Sequence, residues 1–286
     1  MNTYVNPAFA GTSGGIRFAN SYRDQWRKVA APYKTYGFSY DQYLKSFHGG
    51  IGVNYYHDNA GDAKLKTNEV VLIYSFHISL KKIVIAPALQ IGLVSKTINY
   101  SNLTWGNQYV NGSYQSTNPT NEPTGNSKFS YLDFSSGVMF YGKRFYTGVS
   151  LFHLNNPRQS FYSSTADKLY SKLVLNGGYI LKSDSSSKFS LSPTLLYAKQ
   201  GPSGELVPGV TAKYSYFLLG VSYRTKDAVI FCAGFQNSFL RIGYSFDYTI
   251  SSLSDVSVIG GHEVSLVLWL IKNKDDKKLF LKPIAF

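Results

Sequence analysis

The sequence has few charged residues, one cysteine and no long apolar run. Charged residues make up 16% of its 286 residues, whereas soluble domains usually carry about 25%. The longest apolar stretch, 83–94, is interrupted by Pro87, Gln90 and Gly92, so it does not provide the roughly 20 apolar residues of a spanning helix. Cys232 has no second cysteine to pair with. These absences exclude a helical membrane protein and a disulfide-stabilised domain.

Aromatic residues and strict alternation are abundant instead. Aromatics make up 16% of the chain, with 24 Tyr against 3 Trp. In the segment 217–224, Phe217, Leu219, Val221 and Tyr223 share one face, and glycine, serine and arginine share the other. This pattern recurs along nearly the whole chain, without helical patterns that could cover an apolar face. An apolar outer face and a polar inner face predict a transmembrane β-barrel.

Alternation and turn residues divide the chain into about fourteen predicted strands. They are 15–26, 34–43, 48–57, 66–79, 83–97, 128–141, 143–154, 170–182, 188–199, 206–214, 217–224, 228–236, 238–250 and 262–271. We therefore predict an all-β fold, a transmembrane antiparallel β-barrel of about 14 strands, formed by residues 1–271 as one domain. The charged tail 272–286 is expected to lie in the periplasm.

The predicted connections alternate in length. Those after even-numbered strands are mostly short, whereas those after odd-numbered strands include 98–127, 155–169 and 251–261. Bacterial barrels have short periplasmic turns and longer extracellular loops, so we predict an outer-membrane protein with both termini in the periplasm. The first residues have neither the charged nor the apolar region of a signal peptide, and we expect such a peptide to have been removed.

Two other readings of the composition are less favoured. A soluble β-sandwich or lipocalin-like barrel has shorter strands and a polar face that meets water, whereas here the second face is aromatic. The net charge of +13 does not predict a nucleic-acid partner, because the basic residues form no patch with interleaved aromatics. Pairs such as Lys81-Lys82 and Lys143-Arg144 fall in turns, where they would meet outer-membrane lipid, lipopolysaccharide or an acidic partner.

Charged side chains are predicted on the inner face of the barrel. The main candidates are Arg17, Arg23, Asp133, Arg224, Arg241, Asp247 and Glu263. They either pair across the lumen and hold its shape, or form a selective or docking surface. Arg23 and Glu263 lie on the first and last predicted strands, so they would pair at the seam of a closed barrel, unless Arg23 is merely solvated. Fourteen strands allow an open or a plugged lumen, since eight are filled by side chains and sixteen leave a channel.

Enzymatic chemistry is not predicted. The five histidines have no zinc-type spacing to a second ligand, and His153 near Asn155 and Asn156 lacks a nucleophile motif. The run 201–204 is a turn rather than a phosphate-binding loop. We predict no catalytic residue, no metal site and no cofactor.

Five short runs resemble motifs of one known family. In chain order they are Asn6-Pro7-Ala8-Phe9-Ala10-Gly11, Tyr22-Arg23-Asp24-Gln25-Trp26, Leu154-Asn155-Asn156-Pro157, Gly243-Tyr244-Ser245-Phe246-Asp247-Tyr248 and Gly261-His262-Glu263-Val264-Ser265-Leu266. They are similar, in the same order, to motifs of the PorP/SprF family, outer-membrane proteins of the type IX secretion system. The last run has Gly261 where the family usually has serine. Physically, Asn6-Pro7 predicts a turn before the first strand.

The resemblance implies a non-enzymatic barrel of the type IX secretion and gliding-motility machinery. Such a protein would bind, deliver or anchor a secreted surface protein, such as an adhesin, through the C-terminal domain of that protein. Other type IX secretion components are implied as further partners. The motifs do not separate subfamilies with different partners. A passive outer-membrane diffusion channel is the alternative function.

The long loop 98–127 is the candidate contact with a partner. It carries Tyr100, Trp105, Tyr109 and Tyr114 among small polar residues. Aromatic side chains make effective binding anchors, and loops on a rigid scaffold commonly carry binding. A solvated or disordered loop is the alternative interpretation.

Overall fold

The computed structural model is a closed antiparallel β-barrel. It describes residues 1–26, 33–61, 64–115, 117–120, 122, 125–162, 167–182, 188–250 and 260–272. The fourteen barrel strands are β1 (Gly15–Gln25), β2 (Tyr33–Leu44), β3 (Gly49–Ala60), β4 (Leu65–Phe76), β5 (Val84–Thr97), β6 (Lys128–Tyr141), β7 (Phe145–Phe152), β8 (Lys172–Tyr179), β9 (Phe189–Gln200), β10 (Ser203–Tyr214), β11 (Phe217–Arg224), β12 (Ala228–Gln236), β13 (Leu240–Thr249) and β14 (Gly261–Lys272).

The strands pair in chain order, and β1 closes the barrel against β14. Closure pairs the backbone groups of every strand on both sides, which leaves no open sheet edge in lipid. The predicted fold is therefore confirmed, and the predicted strands differ from the observed ones only at their ends. Predicted strand 66–79 is interrupted at His77, beyond which Ile78–Ser79 pairs with β5. Leu181–Lys182 similarly extends β8 against β9.

Alternation along each strand separates an outer apolar face from an inner face. On β11, Phe217 and Leu219 are each 65% exposed, whereas Leu218 between them is 1% exposed. On β5, Leu89 and Leu93 point outward while Gln90 is buried. The exposed aliphatic and aromatic side chains form the surface that lipid covers, since apolar residues on that face need no protein partner.

The two ends of the barrel differ in their connections. At one end the even-to-odd connections are short, with a 3₁₀ turn at Lys45–Phe47 and a tight turn around Gly142. At the other end lie the described residues of two long loops, 98–127 and 153–171. The first of these contains the 3₁₀ turns Tyr100–Asn102 and Gly106–Gln108 and a small hairpin of Tyr109–Val110 with Ser113–Tyr114. These ends are called the short-turn end and the loop end.

The N-terminal residues lie inside the barrel. Asn2–Val5 forms one helical turn and Pro7–Phe9 a 3₁₀ turn before the chain enters β1. Residues 1–14 are called the N-terminal plug. The predicted periplasmic tail is 272–286. Its first residue, Lys272, ends β14, and residues 273–286 lie outside the described residues, so the division of the chain at residue 271 stays a prediction.

Candidate functional site

The N-terminal plug is anchored in the lumen by buried hydrogen bonds. Thr3 Oγ1 lies 3.0 Å from Ser39 Oγ and donates to Asn54 Oδ1 at 2.9 Å. Asn6 Nδ2 contacts the carbonyls of Val138 and Val149. Thr3 and Asn6 are 1% and 0% exposed. Without these hydrogen bonds, their buried polar groups would destabilise the folded protein.

An apolar seat holds the second half of the plug. Ala8 and Phe9 pack into one buried cluster with Val84, Met139 and Tyr141 from the inner faces of β5 and β6. The Phe9 ring also meets Tyr146 edge to face at 5.5 Å between centroids. This part of the lumen is consequently dry and packed, unlike a water-filled channel.

The end of the plug is held against β2 and β3 by a close backbone approach and a buried ion pair. Gly11 has a φ of +76°, and a Cβ at this position would lie 2.6 Å from the Cα of Gly50, so only glycine fits. Arg17 Nε donates to Asp41 Oδ2 at 2.6 Å, and the backbone N–H of Gly11 donates to the other oxygen of Asp41 at 2.8 Å. Arg17 also donates to the carbonyl of Phe9.

The predicted turn at Asn6-Pro7 is present before β1, and it lies inside the lumen. Asn6 caps the buried 3₁₀ turn Pro7–Phe9, and its side chain accepts from the N–H of Ala8. The sequence reasoning missed Thr3 and Asn6 as residues of the lumen. The sequence did contain a sign of the plug. Val84, Ala86 and Ala88 are apolar, although they lie on the inner face of β5, where a water-filled lumen would favour polar side chains. The periplasmic location of both termini stays a prediction.

The inner wall at the loop end carries a charged network across the seam. Arg23 Nη2 lies 2.5 Å from Asp247 Oδ2, and its Nη1 lies 3.3 Å from Glu263 Oε2. The predicted contact of Arg23 with Glu263 is therefore present, although Asp247 is the nearer partner. Arg224 extends the network, at 3.4 Å from Asp247 and 2.9 Å from Asp227.

The other predicted luminal charges lie apart from this network. Asp133 is 2% exposed and contacts Nδ1 of His153 at 3.0 Å. Arg241 lies over the ring of Trp269, 5.3 Å from its centroid. Asn155 bonds the backbone of Leu132 and Phe134, so the structure does not assemble His153 and Asn155 into a hydrolase-like site. Within the described ranges, no group of three or more His, Cys, Asp or Glu could hold a metal ion.

A larger and a smaller cavity lie beside the plug. The larger cavity has a volume of about 430 Å³ and is lined by the plug and the wall from β7 to β12, including Asn176, Glu205 and Arg224. The smaller cavity has a volume of about 250 Å³ and lies between the plug and the wall from β3 to β8. The plug thus divides the lumen rather than filling it.

The two long loops at the loop end fold against each other. The N–H of Asn126 donates to the carbonyl of Phe161 at 2.7 Å, and the rings of Phe129 and Phe161 meet edge to face at 4.7 Å. Lys96 Nζ donates to Gln159 at 2.8 Å. The backbone hydrogen bond therefore joins the two loops, and the contacts of Phe129 and Lys96 tie loop 153–171 to β6 and β5.

The four predicted partner-binding aromatics occupy different positions on loop 98–127. Tyr109 and Tyr114 face each other across the small hairpin, with ring centroids 5.7 Å apart, and are 47% and 46% exposed. Tyr100 begins a 3₁₀ turn, and Trp105 precedes the next one. Both are only partly exposed, so the hairpin pair forms the accessible aromatic surface.

Solved structures with a similar fold are outer-membrane barrels. Omp33 of Acinetobacter baumannii has a TM-score of 0.50 and 6% identity, and the match covers 89% of this chain and 98% of that one. A FadL homologue of Pseudomonas aeruginosa has a TM-score of 0.43 and 10% identity over 88% of each chain. Comparison with curated protein sequences gives no match. In the part of the chain that the structure describes, no helix is long and apolar enough to cross a membrane.

The family model described as type IX secretion system membrane protein PorP/SprF matches residues 1–268. This match confirms the resemblance carried by the short motifs and, with the barrel fold, supports the outer membrane as the location. Both are features of a secretion-machinery membrane protein rather than of an enzyme family. Because the match spans nearly the whole sequence, the chain belongs to the PorP/SprF family of type IX secretion.

Proposed function

We propose that this barrel holds or delivers a secreted surface protein by binding its C-terminal domain at the loop end. The partner class is a surface protein such as an adhesin of the gliding machinery, and the other type IX secretion components would bring it to the barrel. The plugged lumen is the observation that carries the proposal, because a plug packed into the lumen narrows the path for free diffusion and favours a binding role.

The loop end supplies a surface suited to such a partner. The facing rings of Tyr109 and Tyr114 provide exposed apolar area with polar hydroxyl tips, a combination enriched where proteins bind each other. The backbone hydrogen bond from Asn126 to Phe161 joins the loop that carries them to loop 153–171, and the contact of Lys96 with Gln159 ties that second loop to β5. A loop held before binding loses less entropy on association than a free one.

The binding test compares aromatic pairs at opposite ends of the barrel. The affinity-tagged double variant Tyr109→Ala/Tyr114→Ala should lose a secreted partner that the unchanged protein captures from native membranes, as identified by mass spectrometry. Tyr216→Ala is the matched control, because Tyr216 is 54% exposed at the short-turn end and its ring lies 5.7 Å from Phe235. This control should retain the partner.

Two results would contradict the proposal. Capture by the Tyr109→Ala/Tyr114→Ala variant at the level of the unchanged protein would remove the hairpin from the interface. Steady conductance of the unchanged protein in planar bilayers, without a captured partner, would favour the alternative of a passive diffusion channel.

A further inference from the structure

The smaller cavity contains hydrogen-bonding atoms that the described part of the protein leaves without partners. Gln90 is 9% exposed, and its Oε1 is buried beside the cavity without a hydrogen bond. The hydroxyl of Tyr4, on the plug side of the cavity, is also buried without a partner. Buried polar atoms are normally satisfied, so these two point to a bound group that completes them.

A carboxylate faces the same space. No hydrogen bond or ion pair joins Glu69 to another described residue, although its charge interacts with Asp133, His153 and Lys96. Glu69 Oε1 would lie 3.4 Å from a Cβ at Gly92, and Cβ of Asp133 would lie 3.8 Å from the same point. Glycine at this position on β5 thus leaves space between two inward acidic residues on the flanking strands β4 and β6.

The neighbouring cations are already held or lie at the edge of the cavity. Lys96 Nζ donates to Gln159 at 2.8 Å, and the His153 ring is held by Asp133 at 3.0 Å. Lys172 lines the cavity from the start of β8, and no ion pair joins it to Glu69 among the described residues. The acceptors on Glu69 and Gln90 therefore face space that a cation from outside the chain could enter.

Two aromatic rings complete the surroundings. Tyr4 and Tyr56 lie with ring centroids 5.6 Å apart, and Glu69 acts electrostatically on both hydroxyls. Aromatic faces beside a carboxylate attract organic cations through cation–π and Coulomb interactions. A volume of about 250 Å³ is below the range of drug-sized ligand pockets, which begins near 300 Å³, so the fitting ligand is small.

We propose that the smaller cavity binds an aliphatic ammonium group, held by Glu69 and Gln90 Oε1 beside Tyr4 and Tyr56. The ammonium belongs either to a free small amine or to a lysine side chain that enters from the loop end. This site lies on the inner wall and is separate from the hairpin of the proposed function. Loss of one function would leave the other measurable.

The test is titration calorimetry of the full chain in detergent with n-butylammonium chloride, against 1-butanol as the neutral probe of similar size. The unchanged protein should bind butylammonium saturably and 1-butanol far more weakly. Glu69→Gln should weaken butylammonium binding roughly tenfold or more, as expected for the loss of a charge-assisted hydrogen bond. Glu205→Gln is the matched control, because Glu205 lines the larger cavity, and it should bind as the unchanged protein does.

Two further variants keep the test decisive if Glu69→Gln does not fold, which heat modifiability on a gel will reveal. Gln90→Leu removes an acceptor without changing the charge and should weaken binding. Lys172→Met removes the cation that lines the cavity and should tighten it. Nα-acetyl-lysine methylamide distinguishes the sources: binding of both amines admits lysine side chains, and binding of butylammonium alone limits the site to free amines. Equal binding of 1-butanol, unchanged binding in both Glu69→Gln and Gln90→Leu, or no saturable binding would overturn the proposal.

Discussion

The two ends of the lumen have opposite chemistry although one set of strands forms both. At the short-turn end, Phe9 of the plug packs against Val84, Met139 and Tyr141. At the loop end, β1, β13 and β14 carry the network of Arg23, Asp247 and Glu263. Arg224 joins this network to the lining of the larger cavity. Alternation decides only which side chains point inward. Which side chains point inward at a given height along the barrel axis decides whether that part of the lumen packs against the plug or carries charged groups.

The largest effect is expected from removing the seal. Deletion of residues 2–10 uncovers the apolar seat and opens a path past it, so conductance in planar bilayers should rise severalfold or more, because a barrel of this size is wide enough for a lumen once its filling is removed. Deletion of the hairpin 109–114 at the opposite end is the control and should leave conductance low.

The deleted protein must still show a heat-modifiable barrel band. If that folded protein conducts no better than the unchanged protein, the plug does not limit conduction. The short-turn end then does not differ from the loop end in blocking the lumen.

A smaller but still large effect is expected at the ion pair that ties the plug to the wall. Asp41→Ala leaves Arg17 buried without its carboxylate and removes the acceptor of the Gly11 N–H. The side chains of Arg17 and Asp41 are 6% and 0% exposed. Because the substitution leaves a buried charge without its partner, the free energy of unfolding should fall by about 3–5 kcal/mol. Urea unfolding followed by tryptophan fluorescence measures it.

The matched variant at the loop end is Asp227→Ala, which removes an ion pair to Arg224 whose carboxylate side chain is 45% exposed. Exposed pairs contribute about 0–1 kcal/mol, so its unfolding curve should hardly move. If Asp41→Ala and Asp227→Ala lower the free energy of unfolding equally, the ion pairs at the two ends do not differ in their shielding from water.

The smallest effect sharpens the description of the seam. Asp247→Asn should destabilise the protein by about 1–3 kcal/mol, because a buried charged acceptor is lost to Arg23 and Arg224 together. Glu263→Gln should cost about 0–1 kcal/mol, since its contact with Arg23 is longer and its side chain is 28% exposed. Urea midpoints in the same detergent compare the two. The reverse ranking would make Glu263, as the sequence predicted, the main partner of Arg23.

The wall of the barrel was predictable because its information is local. Alternation in β5 or β11 is visible within a few residues, and one outer solvent, lipid, imposes the same requirement on every strand. The pairing of Arg23 with Glu263 followed from closure of β1 against β14. Asp247 was missed as the nearer partner because strand order does not fix how far an arginine side chain reaches.

The plug was not predictable by the same means. Residues 2–10 have no two-residue rhythm, and their partners are distant in sequence: Thr3 bonds to Asn54 and Asn6 to Asn176. Only the inward Val84, Ala86 and Ala88 signalled that something apolar covers them. The cavities beside the plug depend on the same long-range packing, so Glu69 and Gln90 could not be joined into one site from the sequence.

The position of the plug fixes an order for building the molecule. Asn6 is 170 residues from Asn176, whose side chain it contacts, and the wall around it is complete only when β14 pairs with β1. Contacts this distant in sequence form late and slowly. A chain that closed first would have to thread its own beginning into a finished cylinder. We therefore expect the strands to curl around the first residues, with the joining of the last strand to the first as the step that locks those residues inside.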